Sequence, residues 1–250
     1  MTWHTAAYSS SVTNGSTNAA INAINDNVFK IGSQNGFVLQ EDMMLLSAWS
    51  LVNNGTAYRL SSPKFAQFGY IQVVPIGSAV DVTSGLLVAS WPYRPPTFRN
   101  QEEVTAFTDT GGTAAKQETL VVSFSNGVDP IPPGEELTIK FTSTTSAVAN
   151  SWTLLTITLS QTLPEGRYAM LSSELFSTTA QAHRWTFWNQ FYRPGLPSST
   201  SQANVQFPGV RDYRQGLMGQ FSNVTLPNLE VLCNSTDNSH TGFMRAIKVA

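Results

Sequence analysis

The sequence predicts an all-β protein built as two similar antiparallel units in tandem. Three observations carry that prediction. Short apolar-alternating segments recur along the chain between clusters of turn residues. Charged residues are only 12% of the 250, while Ser, Thr and Asn make up 71 of them and aromatic residues 11%; this mixture suits half-buried strands. A weak internal repeat recurs at half the chain length.

Taken in order, residues 1–17 are small and polar and read as an extended or disordered arm. From Asn18 to Val28 the apolar positions Ala20, Ile21, Ile24 and Val28 recur at three- and four-residue spacing, which predicts a short N-terminal helix with Thr17 or Asn18 as its cap. Strand signals dominate from there. In the first half they fall at Phe37–Gln40, Met43–Val52, Ala57–Ser61, Tyr70–Pro75, Leu86–Trp91, Val104–Thr108 and Glu118–Ser125. In the second they fall at Leu137–Thr142, Trp152–Ser160, Arg167–Phe176, His183–Trp188, Leu229–Cys233 and Gly242–Val249. Leu137, Ile139 and Phe141 alternate with Thr138, Lys140 and Thr142, the pattern of a sheet with one buried face. Asn53-Asn54-Gly55, Gly111-Gly112, Asn126-Gly127 and Pro164-Glu165-Gly166 supply the turns.

The repeat pairs Met44-Leu45-Leu46-Ser47 and Ala57-Tyr58-Arg59-Leu60 with Met170-Leu171-Ser172-Ser173 and Ala182-His183-Arg184-Trp185. Thr119–Phe124 likewise matches Phe243–Val249. Hydroxyl-rich strands look alike, so coincidence competes with duplication, and the shared offset favours duplication. The turn-rich segment Gly127–Gly134 marks the boundary. The division is therefore 1–27 as arm and helix, 28–128 as a first eight-stranded jelly roll and 129–250 as a second, each half being long enough for that fold.

The net charge is −2, and the 14 cationic residues are scattered, with Arg211 and Arg214 a close pair and Asp212 between them. No direct nucleic-acid binding through a basic arm is expected. A surface so sparing in charge suggests one covered by neighbours. The single cysteine, Cys233, excludes an intramolecular disulfide framework. No signal peptide is read at the N-terminus, and Phe141–Pro164, a long uncharged stretch, is too rich in Ser and Thr for a membrane span. The sequons at Asn14, Asn54, Asn223 and Asn234 are what chance gives in such a composition.

No nucleophile elbow, phosphate loop, zinc-protease motif or calcium loop occurs. His4, His183 and His240 lie far apart without metal-ligand spacing, and His183 reads as a hydrogen-bonding residue in a strand rather than a catalytic base. The carboxylate pairs Glu41-Asp42, Glu102-Glu103 and Glu135-Glu136 are adjacent in sequence, which puts them in solvated turns rather than across a cleft. No catalytic, cofactor or metal residue is assigned. Trp185, Phe187, Trp188, Phe191 and Tyr192 form the most unusual local feature. Alternation places Trp185 and Phe187 on one face and Trp188 on the other. Core and subunit-interface packing is preferred to a sugar-stacking platform. The interface candidates are Trp185, Trp188, Phe191, Tyr192, Arg193, Arg211 and Arg214.

Two tandem jelly rolls, few charges and no active-site motif resemble the major capsid proteins of the double jelly-roll virus lineage. Pro164-Glu-Gly-Arg-Tyr-Ala-Met-Leu-Ser172, His183-Arg-Trp-Thr-Phe187 and Arg193-Pro-Gly195 are most similar to the versions found in small tailless, membrane-containing bacteriophages, including the lipid-containing single-stranded DNA phages of Flavobacterium. The resemblance implies a non-enzymatic subunit. It forms homotrimers of pseudo-sixfold outline and assembles in the host cytoplasm into an icosahedral virion shell over an internal membrane. Its partners are further copies of itself, penton and minor capsid proteins, and the membrane or a neighbour through the N-terminal segment. The rival readings are a carbohydrate-binding or adhesin-like spike or fibre component, with the 185–192 aromatics stacked on glycans, and a β-sandwich hydrolase using Glu174 and Asp212.

Overall fold

Chain connectivity is what makes this protein a pair of jelly rolls. A computed structural model describes residues 3–50, 55–67, 72–74, 89–90, 95–111, 114–127, 129–198 and 217–249. It divides into two compact units, an N-terminal unit of Ala6–Asn126 and a C-terminal unit of Gly127–Ala250 joined by Met1–Thr5.

The strands up to residue 125 are β1 (Trp3–Val12), β2 (Ala19–Ile21), β3 (Lys30–Ile31), β4 (Phe37–Val38), β5 (Met43–Trp49), β6 (Gly55–Ser61), β7 (Gln72–Val74), β8 (Ala89–Ser90), β9 (Thr97–Phe98), β10 (Glu103–Thr110) and β11 (Lys116–Ser125), with one helical turn, α1 (Pro63–Gln67). The remainder are β12 (Glu136–Ser143), β13 (Trp152–Leu155), β14 (Thr158–Leu159), β15 (Arg167–Phe176), β16 (Ala180–Thr186), β17 (Gly195–Pro197), β18 (Gly219–Ser222), β19 (Asn228–Cys233) and β20 (His240–Lys248).

The two units share one plan. The sheets of the first are ordered β1-β11-β5-β8 and β4-β10-β6-β7, and those of the second β12-β20-β15-β18 and β13-β19-β16-β17. Counting these eight strands in chain order within each unit, both give a sheet 1-8-3-6 and a sheet 2-7-4-5. First pairs with eighth, second with seventh, third with sixth and fourth with fifth, which is a long hairpin rolled up on itself, the jelly-roll connectivity. Strands β2, β3, β9 and β14 are additions at β10, β4, β5 and β12.

The half-chain repeat falls on this plan. Met44 and Met170 lie in the third strands β5 and β15, Arg59 and Arg184 in the fourth strands β6 and β16, and the third matching pair in the eighth strands β11 and β20. The equivalent arginines do equivalent work. Arg59 pairs with Asp109 on the seventh strand β10, and Arg184 with Glu230 on the seventh strand β19. Each unit has its own aromatic core. In the first, Phe124 meets Phe29 and Phe98 edge-on and Phe37 meets Tyr8; in the second, Phe141 meets Trp185 at 5.4 Å.

Two sequence expectations need correction. Residues 18–28 are not helical. Ala19–Ile21 pair with Ala106–Thr108 of β10, and Asn18 and Asn27 take the left-handed conformation at φ 53° and 62°. Beyond the strand, the Asp26 carboxylate accepts the N–H groups of Val28 and Phe29, and the Asn25 side chain that of Asn27. These short side-chain bonds compete with helix formation. The apolar spacing at 20, 21, 24 and 28 fits a helix, but the free β10 edge and local Asx bonding win.

Residues 3–12 are extended, as one of the two sequence readings has it, but as a strand within a sheet rather than a free arm. β1 is buried along most of its length, Trp3 through Tyr8 completely. Its residues 6–12 belong to the N-terminal unit, while residues up to Thr5 belong to the C-terminal one. A short run of His, Thr and Ala gives no alternation to read, because both faces are covered.

Candidate functional site

Described residues beyond the fold's own needs converge on one corner of the C-terminal unit. The turn after β16 starts there. The Gln190 N–H donates to the Phe187 carbonyl at 3.1 Å, so Trp188 and Asn189 occupy the tip. Phe187 is buried at the root, whereas Trp188 is 90% exposed. The root is fixed by close approach to β18: a Cβ on Gly219 would lie 2.5 Å from the Phe187 ring, so only glycine lets ring and strand meet.

β18 pairs antiparallel with the start of β15, Arg167 opposite Ser222 and Ala169 opposite Gln220. Side chains alternate across a strand, so Arg167, Gln220 and Ser222 share the outer face. Tyr168 and Phe221 take the inner one, stacked at 5.4 Å. Between turn and strand edge lies an open groove of about 210 Å³, lined by these outer residues with Trp188, Asn189 and Thr225.

The interface candidates separate on burial. Trp185 is fully buried and takes no part in a surface; its indole N–H donates to Ser173 Oγ at 2.7 Å. Tyr192 is largely buried and meets His4 edge-on at 6.1 Å. Arg193 donates to both Glu230 oxygens at 3.0 and 3.1 Å. Trp188 and Phe191, the latter 63% exposed, are the ones that face solvent. Arg211 and Arg214 lie outside the described residues.

Behind the corner is a buried ionic knot. Arg184 is fully buried, and its Nε donates to Glu230 at 2.6 Å, its Nη1 to the Thr5 carbonyl at 3.0 Å, while its guanidinium lies 4.0 Å over the Trp152 ring. Thr5 N–H donates to the Arg193 carbonyl at 2.9 Å, and Arg193 N–H to His4 Nδ1 at 3.1 Å. The knot thus fixes the start of β1 in the C-terminal unit.

His183 is a buried structural residue. Its ring nitrogens meet Ser173 Oγ at 2.7 Å and Ser198 Oγ at 3.0 Å. Burial opposes its cation, and its pKa is pushed down to about 3. An unfolded histidine titrates near 6.5. Between those values the unfolded chain holds a proton the folded one lacks, so stability falls as pH drops from ~6.5 toward ~3, by up to ~1.4 kcal/mol per pH unit. His183→Gln should flatten the stability–pH curve in that window, measured by urea unfolding at several pH values; an unchanged slope would remove His183 as the cause.

The other titratable groups hold loops. Burial pushes the Asp237 carboxyl up, but hydroxyls of Ser177 and Thr178 and the Ser239 N–H, together with His240, outweigh this and hold it well below the usual range. Glu102 accepts the N–H groups of Lys64 and Arg99, Glu103 those of Gln34 and Gly36, and Glu174, mostly buried, pairs with Arg245 at 2.9 Å. Asp212, the other acid of the hydrolase reading, lies outside the described residues. Cys233 is buried with its thiol pushed up to about 11, chiefly by burial. Among the described residues no group of three His, Cys, Asp or Glu could hold a metal ion, and no helix is long and apolar enough to cross a membrane.

Arg167, Asn189, Gln220, Ser222 and Thr225 escape a sequence reading. Gln220 sits in a stretch with weak strand signals, and only the β15–β18 register sets it beside Arg167, 53 residues away.

Fold and corner together define a duplicated jelly-roll protein with an exposed aromatic groove. No protein-family model matches the chain, and no curated protein does. Among solved structures, a Paenibacillus xanthan lyase matches at a TM-score of 0.21 and 12% identity, over 98% of this chain and 25% of the lyase chain. The chain therefore spans about a quarter of that protein's length, and a likeness at this level carries no argument.

Proposed function

We propose that this chain is the major capsid protein of an icosahedral, membrane-containing virion. It trimerises into pseudo-hexameric capsomers, and the capsomers assemble into the shell. The observation that carries the reading is the repetition of one strand order in two tandem units. Three copies then supply six equivalent jelly rolls, which fit a six-neighbour lattice position without six separate chains. Low ionic content supports it, since Ser, Thr and Asn form hydrogen-bonded edges without the desolvation cost of charges.

The assembly works by hierarchy. A large apolar trimer interface makes the capsomer obligate. Weaker contacts between capsomers add through multiplicity and leave room for error correction. The N-terminal segment has a different role from a free arm, because β1 is built into both units. No catalytic step is part of the proposal.

Light scattering and electron microscopy of the purified chain test it. The expected result is a concentration-independent trimer that forms closed shells or flat hexagonal sheets on concentration. A monomer that stays monomeric at about 10 mg/ml, far above the concentration an interface of standard size requires, would overturn it.

A further inference from the structure

We propose that the groove beside Trp188 is a saccharide-binding site for a pyranose bearing a carboxylate. The inference stands apart from the shell reading.

The first ground is an aromatic platform presented at a folding cost. A tryptophan side chain offers ~150–250 Å² of mostly apolar area, and here it is 90% exposed. The turn that carries it is nonetheless fixed: its neighbour Phe187 is locked against Gly219, and a hydrogen bond closes the turn. An exposed apolar face on a fixed turn is what the C–H face of a sugar ring requires.

The second ground is the polar wall opposite. Arg167, Gln220 and Ser222 share the outer face of β15 and β18. Arg167 Nη2 lies 3.4 Å from Gln220 Oε1, and among the described residues no carboxylate pairs with this guanidinium. A guanidinium held by one neutral amide keeps its fork for a carboxylate from outside. The amide of Gln220 and the hydroxyls of Ser222 and Thr225 suit ring hydroxyls.

The third ground is preorganisation. The loop after β18 is tied down before any ligand arrives: Thr225 N–H donates to Ser222 Oγ at 3.0 Å, Asn223 N–H to the Gly166 carbonyl at 3.2 Å, and Gly166 N–H to Asn223 Oδ1 at 3.1 Å. A groove whose walls are already fixed loses little entropy on binding. An open groove of about 210 Å³ has room for a sugar ring.

Titration of the full-length chain with digalacturonate and with its methyl ester, followed by tryptophan fluorescence and calorimetry, tests the assignment. Saturable binding is expected, with the acid preferred. Trp188→Ala should weaken both ligands at least ~10-fold, the equivalent of one lost stacking contact of ~1.4 kcal/mol, and Trp188→Phe should restore most of it. Arg167→Gln should abolish the preference for acid over ester while leaving ester binding within ~2-fold, since only the charged partner is lost. Three results would each overturn the site: no saturable binding of either saccharide, unchanged affinity in Trp188→Ala, or loss of self-association in Trp188→Ala with sugar binding intact. The last would make this surface a contact between copies. Electron microscopy of the native chain reads the shell proposal and saccharide titration of the same chain reads the site, so failure of the one is distinguished from failure of the other.

Discussion

Deleting residues 3–12 is expected to abolish cooperative folding rather than trim an arm. β1 is the outer strand of the sheet β1-β11-β5-β8, and its loss exposes the edge of β11 and the cavities left by Trp3 and Tyr8, both buried. Its first residues are also the partners of Arg184 and Arg193 in the C-terminal unit. The single-residue version separates packing from hydrogen bonding. Tyr8 packs on Phe37 at 4.8 Å, and its hydroxyl donates to the Val104 carbonyl at 2.7 Å. Tyr8→Ala should cost ~3–5 kcal/mol, as large aromatic truncations do. Tyr8→Phe should cost only ~1–2 kcal/mol, the cost of a buried carbonyl left without its donor. Circular dichroism melts and denaturant titrations read both. A deletion variant with a sharp native-like transition would contradict the role given to β1.

Glu230→Ala should be among the most damaging single changes in the C-terminal unit. Glu230 neutralises Arg184, which has no exposure, and also holds Arg193. Removing it leaves a guanidinium buried in a low-dielectric site, which typically costs ~3–5 kcal/mol. The control is the double replacement Arg184→Leu with Glu230→Leu. It removes both charges, and replacing a buried pair with apolar groups of similar volume is often close to neutral. Glu230→Ala alone should therefore be the less stable of the two in chemical denaturation. The reverse order would show that packing against Trp152, not charge balance, dominates at Arg184.

The fold was legible in this sequence wherever one face of a strand is covered and the other wet. Ile139 and Phe141 are buried between Thr138, Lys140 and Thr142; Arg167–Phe176, buried on both faces beyond Arg167, was legible instead from the turn residues before it and its strand-forming composition. Turn residues delimit these strands locally, and the half-chain repeat recurs because third, fourth and eighth strands occupy the same places in both units. Local pattern is enough for such elements because a strand's register against water is written in every second residue.

β1, the segment 18–28 and the groove obey non-local causes. β1 is covered on both faces, so His4, Thr5 and Ser9 carry no alternation. Residues 18–28 fit a helix by spacing, yet the edge of β10, some 85 residues later, supplies hydrogen bonds that the local sequence does not mention. Alternation sets Trp188 on the face opposite Trp185 and Phe187, but its polar wall exists only because β15 and β18 pair in one register. Local composition and period were enough for the class of fold and its aversion to charge, and they favoured duplication, which the shared strand order of the two units then showed. Tertiary structure alone decided which aromatics are core and which face solvent, and which distant polar side chains meet, because burial and register depend on contacts between residues far apart in the chain.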